Sequence, residues 1–231
     1  MKRFYEQAAA VPVEGGWRVE LDGRPVRTQG ARPQIVPSAA LAEALAGEWG
    51  AQRGQIDPRS FPMRDLADFA IDAVAADREG TIATLLTYAE TDTLCYRAEP
   101  GETLRRRQEA LWEPILAAAE ARYDIRFERV AGIVHRSQAA ATLARLRAVL
   151  ATHDDFTLAA LRTLASLAAS LVTALAAIEP GTDPEALWAA ANLEEDFQAE
   201  LWGADAEAEA SRANRFAAFA AAMRFAELAR G

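Results

Sequence analysis

Few side chains in this sequence have the type and spacing that chemistry requires. There is one cysteine, Cys95, and there are two histidines, His135 and His153. A single Cys excludes an internal disulfide and a Cys-rich metal site, and no His pair stands at metal-ligand spacing. Arg97 lies close to Cys95 in the chain, and a guanidinium can lower a thiol pKa. Leu94-Cys95-Tyr96 nevertheless reads as a buried helix end, where a thiol is structural. His135 follows Ile133-Val134 with no carboxylate or nucleophile to nominate beside it, which fits a surface or loop position. His153 precedes Asp154-Asp155 and reads as the close of one helix and the start of the next, with Asp155 as cap before Phe156. A phosphate-binding Gly-rich loop, a dinucleotide-binding Gly turn and a nucleophile elbow are all missing. Carboxylates abound as neighbours, such as Asp154-Asp155 and Glu194-Glu195. Adjacent helical side chains point about 100° apart, so these neighbours are not acid/base dyads.

The segment 182–205 holds the most informative pattern. Asp183 suits a cap, Pro184 the first helical turn and Gly203 the exit. One helix between them would run roughly 28 Å at about 1.5 Å per residue. Wound as a helix, it places Leu193, Phe197 and Leu201 on one face. Trp188, Glu195 and Trp202 fall on nearly the opposite face, with a carboxylate between two indoles. Two readings stay open: a helix buried on both sides with Glu195 paired to an Arg, or one face in the core and one on a partner. Trp is enriched in interface hot spots, and an acid among aromatics can select a partner's Arg or Lys. The same pair of readings applies to Trp49.

The elements that position these residues follow from periodicity. Trp17, Val19 and Leu21 alternate with Arg18 and Glu20 as in a half-buried strand, and Asp22-Gly23 is a favoured hairpin turn. Residues 24–28 would return, with Pro25 marking an edge. Gln34-Ile35-Val36 is another extended piece. Ser38 caps a helix whose Leu41, Leu45 and Trp49 share a face. Helices are expected over 64–77, 79–91, 103–122, 137–151, 156–178, 184–202 and 204–229, with a kink at Pro114. Residues 125–134 carry few helix signals and could rejoin the N-terminal sheet. The predicted class is α+β: a small N-terminal α/β domain (1–85) with antiparallel strands and a hairpin, then a mainly α orthogonal helical bundle (86–231).

Composition narrows the function. The chain has 231 residues, 51% of them hydrophobic, and a net charge of −9 from 25 basic and 34 acidic residues. Such a chain can bury a sizeable core, and its charge disfavours nucleic acid and anionic lipid as partners. The most apolar stretch, 163–178, is too short to span a bilayer and contains Ser166, Ser170 and Thr173. The N-terminus shows neither an apolar signal core nor an Arg/Ser-rich leader. Basic charge is almost all Arg, with Lys2 the only Lys, a coding bias that suggests a bacterial-type cytoplasm.

A set of strings, in order along nearly the whole chain, resembles one family. They are Lys2-Arg3-Phe4-Tyr5; Leu21-Asp22-Gly23-Arg24-Pro25-Val26; Glu48-Trp49-Gly50-Ala51-Gln52; Ile56-Asp57-Pro58; and Ala70-Ile71-Asp72. Tyr88, Thr91-Asp92-Thr93-Leu94-Cys95-Tyr96-Arg97-Ala98, Gln108, Trp112-Glu113-Pro114, Gly132-Ile133 and Gln138 follow. Leu193-Glu194-Glu195-Asp196-Phe197-Gln198 and Trp202-Gly203-Ala204-Asp205-Ala206-Glu207-Ala208 close the series. Each string alone is weak, but the order and spacing are specific. The chain resembles the assembly chaperones of the ATP synthase F(1) sector that look after its alpha subunit. Departures are Gly50 and Glu194, each where the family usually has Asp, together with Asp65 and Asp68-Phe69.

The resemblance implies the two-domain α+β architecture and a non-enzymatic function: holding unassembled alpha subunit, masking its aggregation-prone face, then yielding it to beta. It implies no cofactor and no metal, a monomer when free, and an address in the bacterial cytoplasm, or a matrix-type compartment for an organelle homologue. The candidate contact residues are Glu195, Trp202, Trp188, Asp205 and Glu194, with Trp49 either structural or in contact. The competing readings are a small-molecule enzyme built on carboxylates and an adaptor for some other protein.

Overall fold

The computed structural model describes residues 1–203 and 205–231; Ala204, the expected first residue of the last helix, lies outside them. The fold is α+β, with an antiparallel sheet at the N-terminus and helices over most of the remainder. The chain divides into two compact units. One comprises Met1–Arg78, Asp154–Ala160 and Ala221–Gly231, the other Glu79–His153 and Leu161–Ala220.

The first unit is built on a sheet in the order β1 (Ala8–Val13), β2 (Gly16–Leu21), β3 (Arg24–Pro25). Its registers pair Ala10 with Val19 and Leu21 with Arg24. Asp22 and Gly23 both take positive φ, the conformation that matches the twist of a two-residue hairpin. The returning strand stops after two residues at the edge of the sheet, where Pro25, which has no N–H to donate, pairs with Glu20. β1 was not expected: an Ala run ending in Val-Pro-Val has little strand propensity, and pairing with β2 overrides it. Val36 bridges Trp17 on the other side of β2.

Ser38 caps α1 (Ala39–Ala51) by accepting from the Leu41 amide, and Leu41, Leu45 and Trp49 are buried as the spacing requires. Glu48, on the same helix, caps the next one: its carboxylate accepts from the amides of Met63 (2.7 Å) and Arg64 (2.9 Å) at the start of α2 (Pro62–Phe69). Burial pushes the Glu48 carboxyl up in spite of these bonds. The carboxylates of α2 and the following turn hold the loop 28–34. Asp68 accepts from Gln34 (2.6 Å) and the Gln29 amide (3.1 Å), and Asp72 from Thr28 and the Gly30 amide, both at 2.8 Å. A Cβ on Gly30 would stand 2.8 Å from the Asp72 carboxylate, so the loop passes there only because it has none. Asp68, one of the departures from the family pattern, is therefore structural in this chain.

Gly50, another departure, lies in the last turn of α1 at negative φ with open space where a Cβ would be. Gly50→Ala should raise stability by about 0.5–1 kcal/mol, because it removes backbone freedom from the unfolded chain. Urea unfolding of the two proteins measures the difference.

The second unit is helical: α3 (Arg78–Glu90), which begins at the last residue of the first unit, then α4 (Thr103–Tyr123), α5 (Ala140–Ala151), most of α6 (Asp155–Ala168), α7 (Leu171–Ala177), α8 (Pro184–Ala191), α9 (Leu193–Trp202) and most of α10 (Ala206–Arg230). Two expected single helices are each two. The 156–178 segment breaks at Ala169, which is left-handed, and Ser170, which caps α7 through the Thr173 amide. The 184–202 segment breaks at Asn192, whose side-chain amide donates to the Trp188 carbonyl at 2.9 Å. Asp154, not Asp155, caps α6 by accepting from Thr157 at 2.8 Å. Residues 125–134 do not rejoin the N-terminal sheet. Their β5 (Val130–Ala131) pairs in parallel with β4 (Tyr96–Arg97). Arg129 fixes this strand to α4 by bonding Glu113 at 2.6 Å and Glu120.

Asp92 is fully buried and caps two elements at once, accepting from Leu94 (3.1 Å) and from Val172 (2.9 Å) at the start of α7. Burial raises its carboxyl from 3.8 to about 6 against the pull of those bonds. A raised folded pKa means that the native state holds the proton more tightly than the unfolded chain. Its contribution is therefore full below the ordinary carboxylate value and is lost as pH rises through about 6. Relative to Asp92→Asn, the wild type should be more stable at pH 4 than at pH 7 by on the order of 2–3 kcal/mol. Paired urea titrations across that range test it, and a pH-independent difference would refute the assignment.

Candidate functional site: the acidic helix α9 and its surroundings

α9 opens with Glu194, Glu195 and Asp196, and carboxylates in a first turn complement the positive end of the helix dipole. Two of them tie α9 to α10. Glu195 receives Arg215 Nη2 at 2.7 Å on both carboxylate oxygens, and Asp196 pairs with Arg212. The Glu195–Arg215 pair is exposed, at 43% and 37% for the two side chains, so it contributes at most about 1 kcal/mol. Glu194 lies over α4 and accepts from Gln108 Nε2 at 2.7 Å, while the buried Gln108 receives the Ala98 amide at 2.7 Å. Arg107 bonds Glu200 and lies 5.2 Å from the centre of the Phe197 ring.

The break at Asn192 separates the two indoles. Trp188, on α8, is 4% exposed and packs on Phe216 and Phe219 with ring centroids at 6.1 and 5.2 Å. Trp202, at the end of α9, is 83% exposed, its Nε1 bonded to Gln198 at 3.1 Å. Trp188, Glu195 and Trp202 therefore do not form one face. Trp188 is core, and Arg215, the partner of Glu195, stands 5.8 Å from its indole. The other predicted stripe splits as well: Leu193 is buried and Leu201 is 58% exposed. Asp205 is exposed beyond the exit and accepts from the Glu207 amide at 3.4 Å as α10 begins. Trp49 is buried in the first unit between Tyr5 and Phe61, with Tyr5 Oη donating to its carbonyl at 2.6 Å. Trp188, expected in the partner contact, and Trp49, expected to be either structural or in contact, are thus packing residues, while Glu194, Glu195, Trp202 and Asp205 are on the surface.

Opposite the start of α9 is a cleft of about 480 Å³ lined by Tyr96, Arg97, Glu99, Glu102, Ile133 and Glu194, among others. A second concavity of about 450 Å³ lies between α4 and α7, lined by Pro114, Ile115, Val172, Leu175 and Leu187, with the Arg122–Glu179 ion pair at its rim. The latter has no second carboxylate to work against Glu179. Cys95 is buried, and burial pushes its thiol up, away from nucleophilic use. Among the described residues, no group of three His, Cys, Asp or Glu side chains could hold a metal ion. Nor, among them, is any helix long and apolar enough to cross a membrane.

A family model described as ATP12 chaperone protein matches residues 2–120. This chain belongs to the ATP12 chaperone family. The crystal structure of Atp12 from Paracoccus denitrificans is similar to it with a TM-score of 0.93 at 39% identity, over 99% of this chain and 98% of that one. A solved protein of Agrobacterium tumefaciens is similar with a TM-score of 0.94 at 38% identity, over 98% and 85% of the two chains. The Schizosaccharomyces pombe protein named atp12, mitochondrial, is 26% identical over 215 residues, 87% of this chain and 74% of that protein. The α+β architecture expected from the resemblance is therefore that of the ATP12 family.

Two features of this ATP12-family chain escaped sequence reasoning. The partners of the acidic turn, Arg212 and Arg215, lie on another helix, and no local pattern links them to it. Ile133 and Val134, at the end of the segment that could have rejoined the N-terminal sheet, are 95% and 73% exposed. The one available signal was Gly132 ahead of them, a residue suited to turning a strand outward.

Proposed function

We propose that this ATP12-family chaperone holds the unassembled alpha subunit of the ATP synthase F(1) sector and keeps it from aggregating until beta arrives, in a bacterial cytoplasm. The observation that carries this reading is Trp202, an indole with 83% exposure at the end of a helix whose first turn is acidic. A large exposed aromatic beside charge is what a holding surface needs: apolar area to cover a sticky face and charges to set register. An orphaned ring subunit exposes such a face. We assign the contact to Trp202, Glu194, Glu195 and Asp205, with Trp188 and Trp49 supporting the fold beneath. No bond is made or broken in this account. Release follows from competition by beta, whose contact with alpha is the stronger.

Light scattering of isolated alpha subunit diluted from denaturant, with and without this chain, tests the function. Unabated aggregation at a several-fold excess would refute it. Glu195 needs a finer test, because it also clamps α9 to α10. Glu195→Lys should abolish protection. The charge swap Glu195→Lys with Arg215→Glu restores the clamp but not an acidic contact at Glu195. If the swap recovers full protection, Glu195 acts only within the chain and leaves the site.

A further inference from the structure

Seven large apolar side chains are exposed among the described residues: Leu201 and Trp202 are at the end of the acidic helix, Ile133 lines the cleft opposite its start, and Val134 follows Ile133 in the same loop. The loop carrying the latter pair is held in place. Arg129 bonds α4 just before it, the Gly132 amide donates to the Arg97 carbonyl at 2.9 Å, and His135 Nδ1 lies 3.1 Å from Tyr96 Oη just after it. Gly132 turns the chain outward at φ +75, and a Cβ there would stand 3.1 Å from Glu99 Oε1. The chain is thus braced on both sides of two aliphatic residues that it leaves in water.

The charge of the cleft is one-sided. Glu99, Glu102, Glu194 and Glu195 all line it. Arg97, the cation among the described residues that line it, is 3% exposed and already engaged by the Leu94 carbonyl and by Glu113, and Glu195 is met by Arg215. Glu99, Glu102 and Glu194 remain as the acidic wall facing an aliphatic one. That combination favours a partner segment with the opposite charge and the same apolar character.

Resting on the holding function proposed above, we propose that this cleft seats a short cationic stretch of the client. An Arg or Lys side chain enters among Glu99, Glu102 and Glu194, and a neighbouring aliphatic side chain lies on Ile133 at the cleft wall, with Val134 extending the apolar surface beyond the cleft. The contact with the client thereby extends from α9 across to the β5 loop.

The test uses the full chain, the double variant Ile133→Ser with Val134→Ser, and the double variant Glu99→Gln with Glu102→Gln. All four positions are on the surface, so thermal unfolding should match the wild type. Each double variant should bind isolated alpha subunit on the order of tenfold or more weakly than the wild type does. Binding within twofold of wild type for both would overturn the cleft assignment and leave the holding function standing. A second arm uses a synthetic peptide of alternating Arg and Val, and the same peptide with Glu for Arg, read by fluorescence anisotropy. Preference for the Arg peptide, lost in both variants, supports the cleft even if alpha proves not to be the client. Equal affinity for the two peptides, or no binding of either, counts against it.

Discussion

A Trp112→Ala chain is expected to lose about 3–5 kcal/mol of unfolding free energy. Trp112 lies in α4, has no exposed surface, and is among the largest fully buried side chains of the chain. Its indole Nε1 donates to the Ala190 carbonyl at 2.7 Å, which ties α4 to α8. The guanidinium of Arg97 stands 5.4 Å from the centre of its ring, and Arg97 itself is buried. Removing the ring opens a cavity, takes the indole donor from the Ala190 carbonyl and leaves a buried cation with one face uncovered. Each of these acts in the same direction. Trp112→Phe keeps most of the volume and loses the N–H, so its cost should be about 1–2 kcal/mol. Guanidinium unfolding of the three proteins tests the ranking; a loss below that of Trp112→Phe in the Ala variant would refute it.

Trp202→Ala should do the reverse, leaving stability within about 0.5 kcal/mol while weakening client binding by about 2 kcal/mol, or ~30-fold. The exposed indole makes one hydrogen bond within the chain, to Gln198 on its own helix, so its loss removes little from the folded state. At an interface, a Trp that goes from exposed to covered brings the largest apolar area of any side chain. Unfolding curves and titrations with isolated alpha subunit, taken on the same preparation, separate the two effects. Unchanged affinity would remove Trp202 from the contact. A matched fall in stability and affinity would make it a packing residue after all.

The pair Trp188 and Trp202 shows where local reading stops. Both fit one helical face if the segment is a single helix, and nothing in the helix period marks a break. Asn192 makes the difference: its backbone leaves the helical region at φ −107 and ψ 18, and its side-chain amide adds a second bond to the Trp188 carbonyl beside that of its own backbone amide. Asn is a weak helix former, but that tendency alone does not choose between an intact helix and two short ones. Burial of Leu187 and Trp188 on one side and the ion pairs of Glu195 and Asp196 on the other decide it. A related conflict governs 125–134. An extended strand was legible, but its partner was not, because Tyr96–Arg97 offers only two residues to pair. The ion pairs of Arg129 with α4 choose that partner.

Local sequence determined the α+β class, the Asp22-Gly23 hairpin, the Ser38 cap, most helix positions and the lack of material for metal or thiol chemistry. Those features depend on backbone preference and on side-chain period within one element, and both are short-range. Tertiary structure alone decided which tryptophan is exposed, that Glu195 has a cation within the chain, and that Ile133 and Val134 face water beside a row of carboxylates. Exposure and charge pairing are set by what other elements bring to a residue from far along the chain. Identical local patterns can therefore end in the core or on the surface.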